Sequence, residues 1–227
     1  QRIALCYFFA SVIIYYGKSR MALFIGMMIL VIYWVLTFTL GVPGHPYNLS
    51  GYFGNAIDFN VLGISHVYKG EGVPFDPEGL TSTLPAIVQV IFGYLVGEYI
   101  QLKGKNFEML AKLILTGVIL VFVGYIWDFS FPINKKIWTS SYVFYTSGLA
   151  IITLSMFIYL LEFNNAKGKW SQFFDVFGKN PLFIFVLSGF LPRVLALLRW
   201  VDHVDEKGEP VYTNVLPWFY QHVCKDV

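Results

Sequence analysis

The chain has 227 residues, of which 56% are hydrophobic and only 13% are charged, and its formal net charge is +2. A soluble domain carries nearer a quarter charged residues, so this composition excludes an ordinary soluble globular protein and predicts that much apolar surface faces lipid. The sequence contains no basic run with interleaved aromatic residues, which argues against nucleic acid as a partner.

The two ends of the sequence predict an internal fragment of a longer chain. Gln1-Arg2 leads directly into an apolar segment without an initiator Met or a basic leader, which is unlike a signal peptide. Lys225-Asp226-Val227 follows a polar stretch at the other end. We interpret the two cysteines, Cys6 and Cys224, as unpaired thiols, with a disulfide between them as the alternative.

Taken in chain order, the apolar stretches predict about six membrane-spanning helices, since a span needs about 20 mostly apolar residues. The predicted spans are 3–16, 21–40, 84–102, 109–127, 142–163 and 181–200, and the first is shorter than the rest. The segments 41–83, 128–139 and 201–227 are longer and mixed in composition. The predicted fold is therefore an all-α membrane protein, a single transmembrane domain over 1–227 with a long structured outer loop.

Positive charge alternates between the connections of these spans. The short connections 17–20, 103–105 and 164–170 are basic, so the positive-inside rule places them in the cytoplasm and the long segments on the opposite side. Lys135 and Lys136 are exceptions, because they fall on the non-cytoplasmic side.

Two features lie inside the predicted spans. Gly93 and Gly97 have the small-xxx-small spacing that allows close helix packing. Arg193 follows Pro192 and lies roughly 10 Å inside the last span, at about 1.5 Å per residue. A charge at that depth faces the bundle interior, where it is functional, or extends outward to the headgroups.

The segment 41–83 holds most of the candidate chemistry, because long ordered loops are usually functional. Within it, Asp76-Pro77-Glu78-Gly79 predicts a turn that holds two carboxylates near the membrane surface. These carboxylates either bind substrate or complement the positive end of the next helix. Thr81, Ser82 and Thr83 are expected to cap that helix.

Three other residues of the same segment are secondary candidates. His45 and His66 titrate near neutral pH and could act as general bases, but each could equally be a hydrogen-bonded loop residue. Asp58 is a further carboxylate. No cluster has the spacing of a zinc site, so no metal is predicted.

A second polar segment precedes the fifth predicted span. Asn134, Lys135 and Trp138 lie in a run with three hydroxyl residues. Lysine and tryptophan at a membrane edge are ordinary anchors. The same residues could form a rim that binds an anion or a sugar.

Five sequence blocks occur in a particular order: QRIALCYFFAS at 1–11, NLSGY at 48–52, DPEGLTSTLPAI at 76–87, FPINKKIWTSSYV at 131–143 and FGKNPLFIFVLS at 177–188. In this order they resemble the heparan-α-glucosaminide N-acetyltransferase family and its bacterial membrane homologues. The resemblance implies a middle-to-late part of a multi-pass transmembrane acyltransferase. It implies acetyl-CoA as the donor, no metal, and a terminal glucosamine or related amino sugar as the small-molecule acceptor.

The resemblance also bears on residue roles and location. The family's catalytic His lies upstream of the first block, so no residue here is given that role. Asp76 and Glu78 would orient the amino sugar, while Asn134, Lys135 and Trp138 would hold the sugar or a phosphate of CoA. The expected location is the bacterial inner membrane, in contact with membrane lipid. A homodimer is left open.

Two other functions are considered. A transporter or flippase for a sugar or lipid-linked substrate would also use the outer loop, Arg193 and a helix broken by proline. A non-catalytic membrane scaffold fits less well, because the carboxylates and lysines cluster on one side. The ordered blocks favour the acyltransferase.

Overall fold

A computed structural model describes residues 2–70, 72–204 and 210–225. The chain divides into two compact units, Gln1–Asn165 and Ala166–Val227. The single domain over 1–227 stays a prediction.

The first unit is a bundle of apolar helices joined by one long polar segment. Its elements are α1 (Arg2–Leu40), α2 (Gly54–Leu62), α3 (Thr83–Lys103), α4 (Phe107–Asp128) and α5 (Ser140–Ile158), which ends in a π-helical turn (Tyr159–Phe163). Runs of about 20 apolar residues form helices because a helix satisfies every backbone donor and acceptor internally. The predicted spans 84–102, 109–127 and 142–163 therefore form α3, α4 and α5, within a few residues of the predicted bounds.

Helix α1 is broken at Lys18, whose backbone angles are φ 53° and ψ 179°. The contacts on α3 show that the two legs run in opposite directions. Arg2 bonds to Ser82 at the start of α3 and Ser19 bonds to Glu98 near its end. Beyond the break the chain returns, and Gly26 packs against Val88. The break therefore falls within the connection predicted at 17–20.

Within the described residues, four helices are long and apolar enough to cross a membrane: α1, α3, α4 and α5 with its π-helical turn. A fifth candidate is a bent pair of helices in the second unit, Lys169–Lys179 and Pro181–Leu197. The structure thus agrees with an all-helical, multi-pass membrane protein, while the predicted count of six spans is not confirmed.

The closest helix packing lies between α4 and α5 and not at the predicted glycine pair. A Cβ atom at Gly148 would lie 2.6 Å from the carbonyl oxygen of Gly117, and one at Gly124 would lie 2.6 Å from the amide of Tyr145. Among the described residues, nothing comes within 4 Å of a Cβ built at Gly93 or Gly97. The close packing that the small-xxx-small spacing allows at Gly93 and Gly97 therefore stays a prediction, because spacing does not say which face of a helix meets a neighbour.

Residues 41–82, which we call the cap segment, form a packed structure at the start of α3. The cap segment contains α2, and an isolated bridge joins Tyr68 to Phe75. Tyr52, Val67 and Phe75 are buried. The cap segment is thus packed, while the predicted long outer loop is not confirmed as such, since the side of the membrane on which the segment lies stays a prediction.

The predicted hydroxyl cap of α3 is wrong. Ser82 stands at the N-cap position but makes no capping bond from its side chain. The hydroxyls of Ser82 and Thr83 instead donate to the carbonyl oxygen of Gly79, at 3.1 and 2.9 Å. They fix the preceding turn, and the Ser82 oxygen stays available to Arg2.

The second unit begins with α6 (Lys169–Lys179) and α7 (Pro181–Leu197), which meet at an angle of 88°. Asn180 leaves the helical region at this bend because the ring of Pro181 disfavours a helical residue before it. A strand pair follows, β1 (Arg199–Val204) with antiparallel β2 (Pro210–Asn214), and then α8 (Val215–Phe219) with a π-helical turn (Tyr220–Cys224). The predicted loop 201–227 is thus partly strand and helix.

Candidate functional site

Polar side chains from four parts of the first unit meet at the start of α3. They come from the first turn of α1, the cap segment, α3 itself and the segment 129–139 that precedes α5. We call this group the polar cluster; its central members are Arg2, Asp58, Ser82, Gln89 and Trp138.

Arg2 is the cation of the polar cluster. It is only 7% exposed, and its guanidinium donates to Ser82 Oγ. The guanidinium carbon lies 4.8 Å from the centre of the Trp138 ring, an attractive cation–π distance. The negatively charged carboxylate of Glu78 attracts this cation as well. Its Nε atom is buried without a hydrogen-bond partner among the described residues.

Trp138 connects the segment before α5 to the middle of the bundle. Its backbone φ is 53°, and its ring packs against Arg2 and Tyr142. The indole Nε1 donates to Gln89 Oε1 at 3.1 Å, and Gln89 Nε2 donates to Thr146 Oγ1 at 3.2 Å. Trp138, one of the predicted site residues, therefore contacts both the cation and the amide of the polar cluster.

Asp58 is the buried carboxylate of the polar cluster. It is 1% exposed, and Oδ1 accepts from the backbone amide of Leu80 at 2.9 Å. Gly79 packs closely on Oδ2, so that a side chain at this position would have to displace the Asp58 carboxylate. Oδ2 has no hydrogen-bond partner among the described residues. Burial raises the pKa of Asp58, and the charge of Asp76 adds to this rise, while the Leu80 amide and Arg2 oppose it.

A hydrogen-bonded tyrosine pair lies next to the polar cluster. The hydroxyls of Tyr33 and Tyr52 lie 2.8 Å apart, and Tyr33 donates to the carbonyl oxygen of Ile137 at 2.6 Å. Burial is the main cause that raises the pKa of Tyr52 to about 12. The pair therefore joins α1, the cap segment and the segment before α5 with neutral groups.

The two predicted carboxylates of the turn lie at the outer edge of the polar cluster. Asp76 is half-buried, and its Oδ1 accepts from the amide of Glu78 at 2.8 Å. Glu78 is exposed. Both carboxylates retain lone pairs toward solvent, because each can accept about four hydrogen bonds.

Asn134 and Lys135 differ in whether their side chains are used within the protein or face solvent. Asn134 organises its own turn, since Oδ1 accepts from the amide of Lys136 at 2.9 Å and Nδ2 donates to the carbonyl oxygen of Tyr47. The side chain of Lys135 is exposed. Of these two predicted residues, only Lys135 presents a charge toward solvent.

The other secondary candidates lie outside the polar cluster. His45 is exposed, and the His66 ring is bonded through Nδ1 to the carbonyl oxygen of Leu62 at 3.0 Å and so closes the end of α2. Arg193 is exposed on α7, in the second unit. Asp58 is the one secondary candidate whose described contacts join the polar cluster.

Sequence reasoning missed Arg2, Gln89 and Tyr33. The available signals were a charge at the first turn of an apolar helix and an amide within the apolar first half of α3, since polar groups within spans usually have a partner. Tyr33 gave no such signal, because nothing in a sequence distinguishes a buried tyrosine from one at the membrane interface.

The polar cluster combines a cation and an indole with the carboxylates of Asp76 and Glu78, whose charges act on Asp58 and Arg2. Carboxylates at the rim suit a ligand that carries an ammonium group and hydroxyls. Within the part of the chain that the structure describes, no three His, Cys, Asp or Glu side chains come together as metal ligands do.

Comparison with known proteins gives two curated relatives and no matching family model. The chain is 27% identical to human heparan-alpha-glucosaminide N-acetyltransferase over 66% of the chain and 27% of the relative. It is 28% identical to the mouse protein of the same name over 82% of the chain and 33% of the relative. The chain therefore spans about a quarter to a third of the length of these relatives.

Proposed function

We propose that this chain is a distant member of the heparan-alpha-glucosaminide N-acetyltransferase family and part of a membrane-embedded acetyltransferase. The acceptor is the amine of a terminal glucosamine or a related amino sugar, and the donor is acetyl-CoA. The observation that carries this proposal is the similarity to two acetyltransferases over 66–82% of the chain. That similarity favours group transfer over the alternative of transport.

In the proposed reaction, the sugar nitrogen attacks the thioester carbonyl carbon of the donor. The new C–N bond forms as the C–S bond breaks, the amine loses a proton, and the thiol of CoA leaves. The donor supplies the activated acetyl group. We assign binding and orientation to this chain, and we assign the proton acceptor to no residue in it.

The polar cluster supplies the proposed acceptor site. Asp76 and Glu78, at its rim, would bind the sugar ammonium and hydroxyls through charge-assisted hydrogen bonds. Trp138 and Arg2 would form the floor beneath them. Lys135 is exposed beside the polar cluster and suits an anionic group of the donor or the sugar. Asn134 would act by holding that turn.

The proposed location is a bacterial inner membrane. The basic connections near Lys18 and Lys103 would face the cytoplasm, and the polar cluster would face the opposite side.

The test is acetyl transfer from radiolabelled acetyl-CoA to glucosamine, with the complete protein in detergent. Asp76→Asn, Glu78→Gln and Lys135→Ala are compared with Glu108→Gln, which changes an exposed carboxylate of α4 paired with Lys112. Loss of one charge-assisted bond to the substrate should lower kcat/KM by about tenfold or more. The Glu108 variant should keep its activity.

Two outcomes would count against the proposal. If the complete wild-type protein transfers no acetyl group to any amino sugar, the proposed reaction is wrong. If transfer occurs and the three rim variants match the Glu108→Gln control, the reaction stands and the proposed acceptor site is wrong.

A further inference from the structure

An open pocket of about 620 Å³ lies at the break in α1, at the other end of α3 from the polar cluster. Ser82 and Glu98 are 16 residues apart on the chain, which corresponds to about 24 Å along a helix. We call this the break pocket, and its lining residues are Ile14, Gly17, Lys18, Ser19, Arg20, Met21, Tyr94 and Glu98. The proposed acetyl transfer uses none of them.

The backbone at the break pocket is strained. Lys18 has φ 53° and ψ 179°, a region that residues with a Cβ atom rarely adopt and that glycine tolerates. The strain falls on Lys18 although Gly17 is adjacent. Such strain persists only where the surroundings hold it, and it concentrates at functional positions. Here Ser19, the next residue, is held by its hydrogen bond to Glu98.

Opposite charges line the break pocket side by side. Lys18 and Arg20 are exposed, while Glu98 is partly buried and accepts from Ser19 and from the Tyr94 hydroxyl at 3.4 Å. A carboxylate has about four acceptor positions, so Glu98 can still accept from a ligand. A purely anionic ligand would meet repulsion from Glu98, whereas a ligand with both an anionic and a cationic group would be matched on both sides.

The position of the break pocket points to lipid. It lies where two apolar helix legs end beside the last turns of α3, which is the level at which headgroups meet the ends of spans. Ile14 and Met21 add apolar wall next to the charges. A ligand that is charged at one end and apolar at the other fits both parts of this lining.

We propose that the break pocket binds the headgroup of an aminophospholipid, such as phosphatidylethanolamine. Lys18 and Arg20 bind the phosphate, Glu98 accepts hydrogen bonds from the primary ammonium, and the acyl chains continue along the apolar wall. The site is separate from the polar cluster and does not depend on the proposed reaction.

The experiment measures lipid retention by the complete protein in nanodiscs, using native mass spectrometry. The probes are dioleoyl lipids with ethanolamine, N-methylated ethanolamine, choline or glycerol headgroups. Retention should fall stepwise from ethanolamine to choline as N–H donors are lost. Glu98→Gln should abolish the preference for ethanolamine over choline. Joint Lys18→Gln and Arg20→Gln should reduce retention of both about tenfold.

The matched control is Lys103→Gln, which removes an exposed lysine near the same end of α3 but outside the break pocket. Its lipid preference should equal that of the wild type. The methylation series changes only the lipid, so it tests the contact with Glu98 even if a variant fails to fold.

Three outcomes would overturn the proposal. The first is equal retention of the ethanolamine, choline and glycerol lipids by the wild type. The second is an equal loss in the Lys103→Gln control. The third is that acetyl-CoA displaces the lipid from the wild type but not from the Lys18 and Arg20 variant. This would assign the break pocket to the phosphates of the donor.

Discussion

At the residue scale, Asp58 couples stability to pH. Its carboxyl group is 1% exposed, and burial, the largest cause, raises its pKa above the ordinary value of 3.8. A raised pKa means that the folded state disfavours the ionised form. The contribution of Asp58 to stability is therefore fully present below pH 3.8, and it is lost as the pH rises from 3.8 through the pKa of the folded state.

Asp58→Asn should remove this pH dependence while keeping the hydrogen bond from Leu80, because an amide oxygen also accepts. We expect the difference in stability to move in favour of the variant as the pH rises from 3.8. Thermal unfolding in detergent at a series of pH values measures that difference. A constant difference across the series would show that Asp58 ionises as easily in the folded protein as in the unfolded one.

Lys18 offers a second test at this scale, because its strain can be relieved without altering a packed side chain. A strained backbone position costs of the order of 1–3 kcal/mol, and glycine adopts such angles freely. The added freedom of glycine in the unfolded chain offsets about 0.4–1 kcal/mol. Lys18→Gly should therefore raise the free energy of unfolding by about 1 kcal/mol.

Chemical denaturation of the purified protein measures the effect of Lys18→Gly. Lys18→Gln is the control, because it removes the same charge and keeps the Cβ atom and its strain. If both variants shift stability equally, charge and not backbone conformation is responsible.

At the scale of elements, the sequence predicted α3, α4 and α5 to within a few residues. These helices follow from long apolar runs, in which every backbone group must find its partner within the segment. The break in α1 was also foreseen from a basic connection. The strand pair β1 and β2 was not, because its pairing depends on contacts that local composition does not encode.

Helix packing separates two kinds of glycine that look alike in the sequence. A Cβ at Gly148 would collide with backbone atoms of Gly117 and Val121 on α4, at 2.6 and 2.7 Å. Backbone cannot move aside as a flexible side chain can, so Gly148→Ala should lower the free energy of unfolding by about 1–3 kcal/mol. Unfolding curves of the variant in detergent measure this loss.

Gly93→Ala is the matched control for that substitution. Among the described residues nothing lies within 4 Å of the added methyl group, and alanine favours a helix over glycine by roughly 0.5–1 kcal/mol. This variant should be unchanged or more stable. A loss equal to that of Gly148→Ala would mean that Gly93 packs on a partner outside the described chain.

The tyrosine pair ties three elements together through one hydroxyl. Tyr33→Phe removes the donor to the Ile137 carbonyl oxygen and the partner of the Tyr52 hydroxyl, and both groups are buried. Buried polar groups left without a partner cost about 1–3 kcal/mol. Thermal unfolding should show this loss, while Tyr15→Phe, at a residue that is 80% exposed on the same helix, should change nothing.

At the scale of the whole molecule, the polar cluster shows what a sequence leaves out. Local sequence context identified Asp76, Glu78 and Trp138 as candidates, and all three lie around one end of the bundle. Arg2 was not, although it lies over Trp138, 136 positions further along. That contact exists only because the first leg of α1 runs beside α3, and the path of one helix past another depends on packing that no local pattern records.

The orientation of the bundle gives the last prediction. The positive-inside rule places the basic end of α3 in the cytoplasm and the cap segment on the other side, so Ser65 and Lys103 should lie on opposite sides of the membrane. Cys224 is exposed and is replaced by serine, while the buried Cys6 can stay. In right-side-out vesicles, a membrane-impermeant maleimide should label Ser65→Cys at once and Lys103→Cys only after detergent opens the membrane. The reverse order would invert the orientation, and labelling of both in intact vesicles would mean that α3 does not cross.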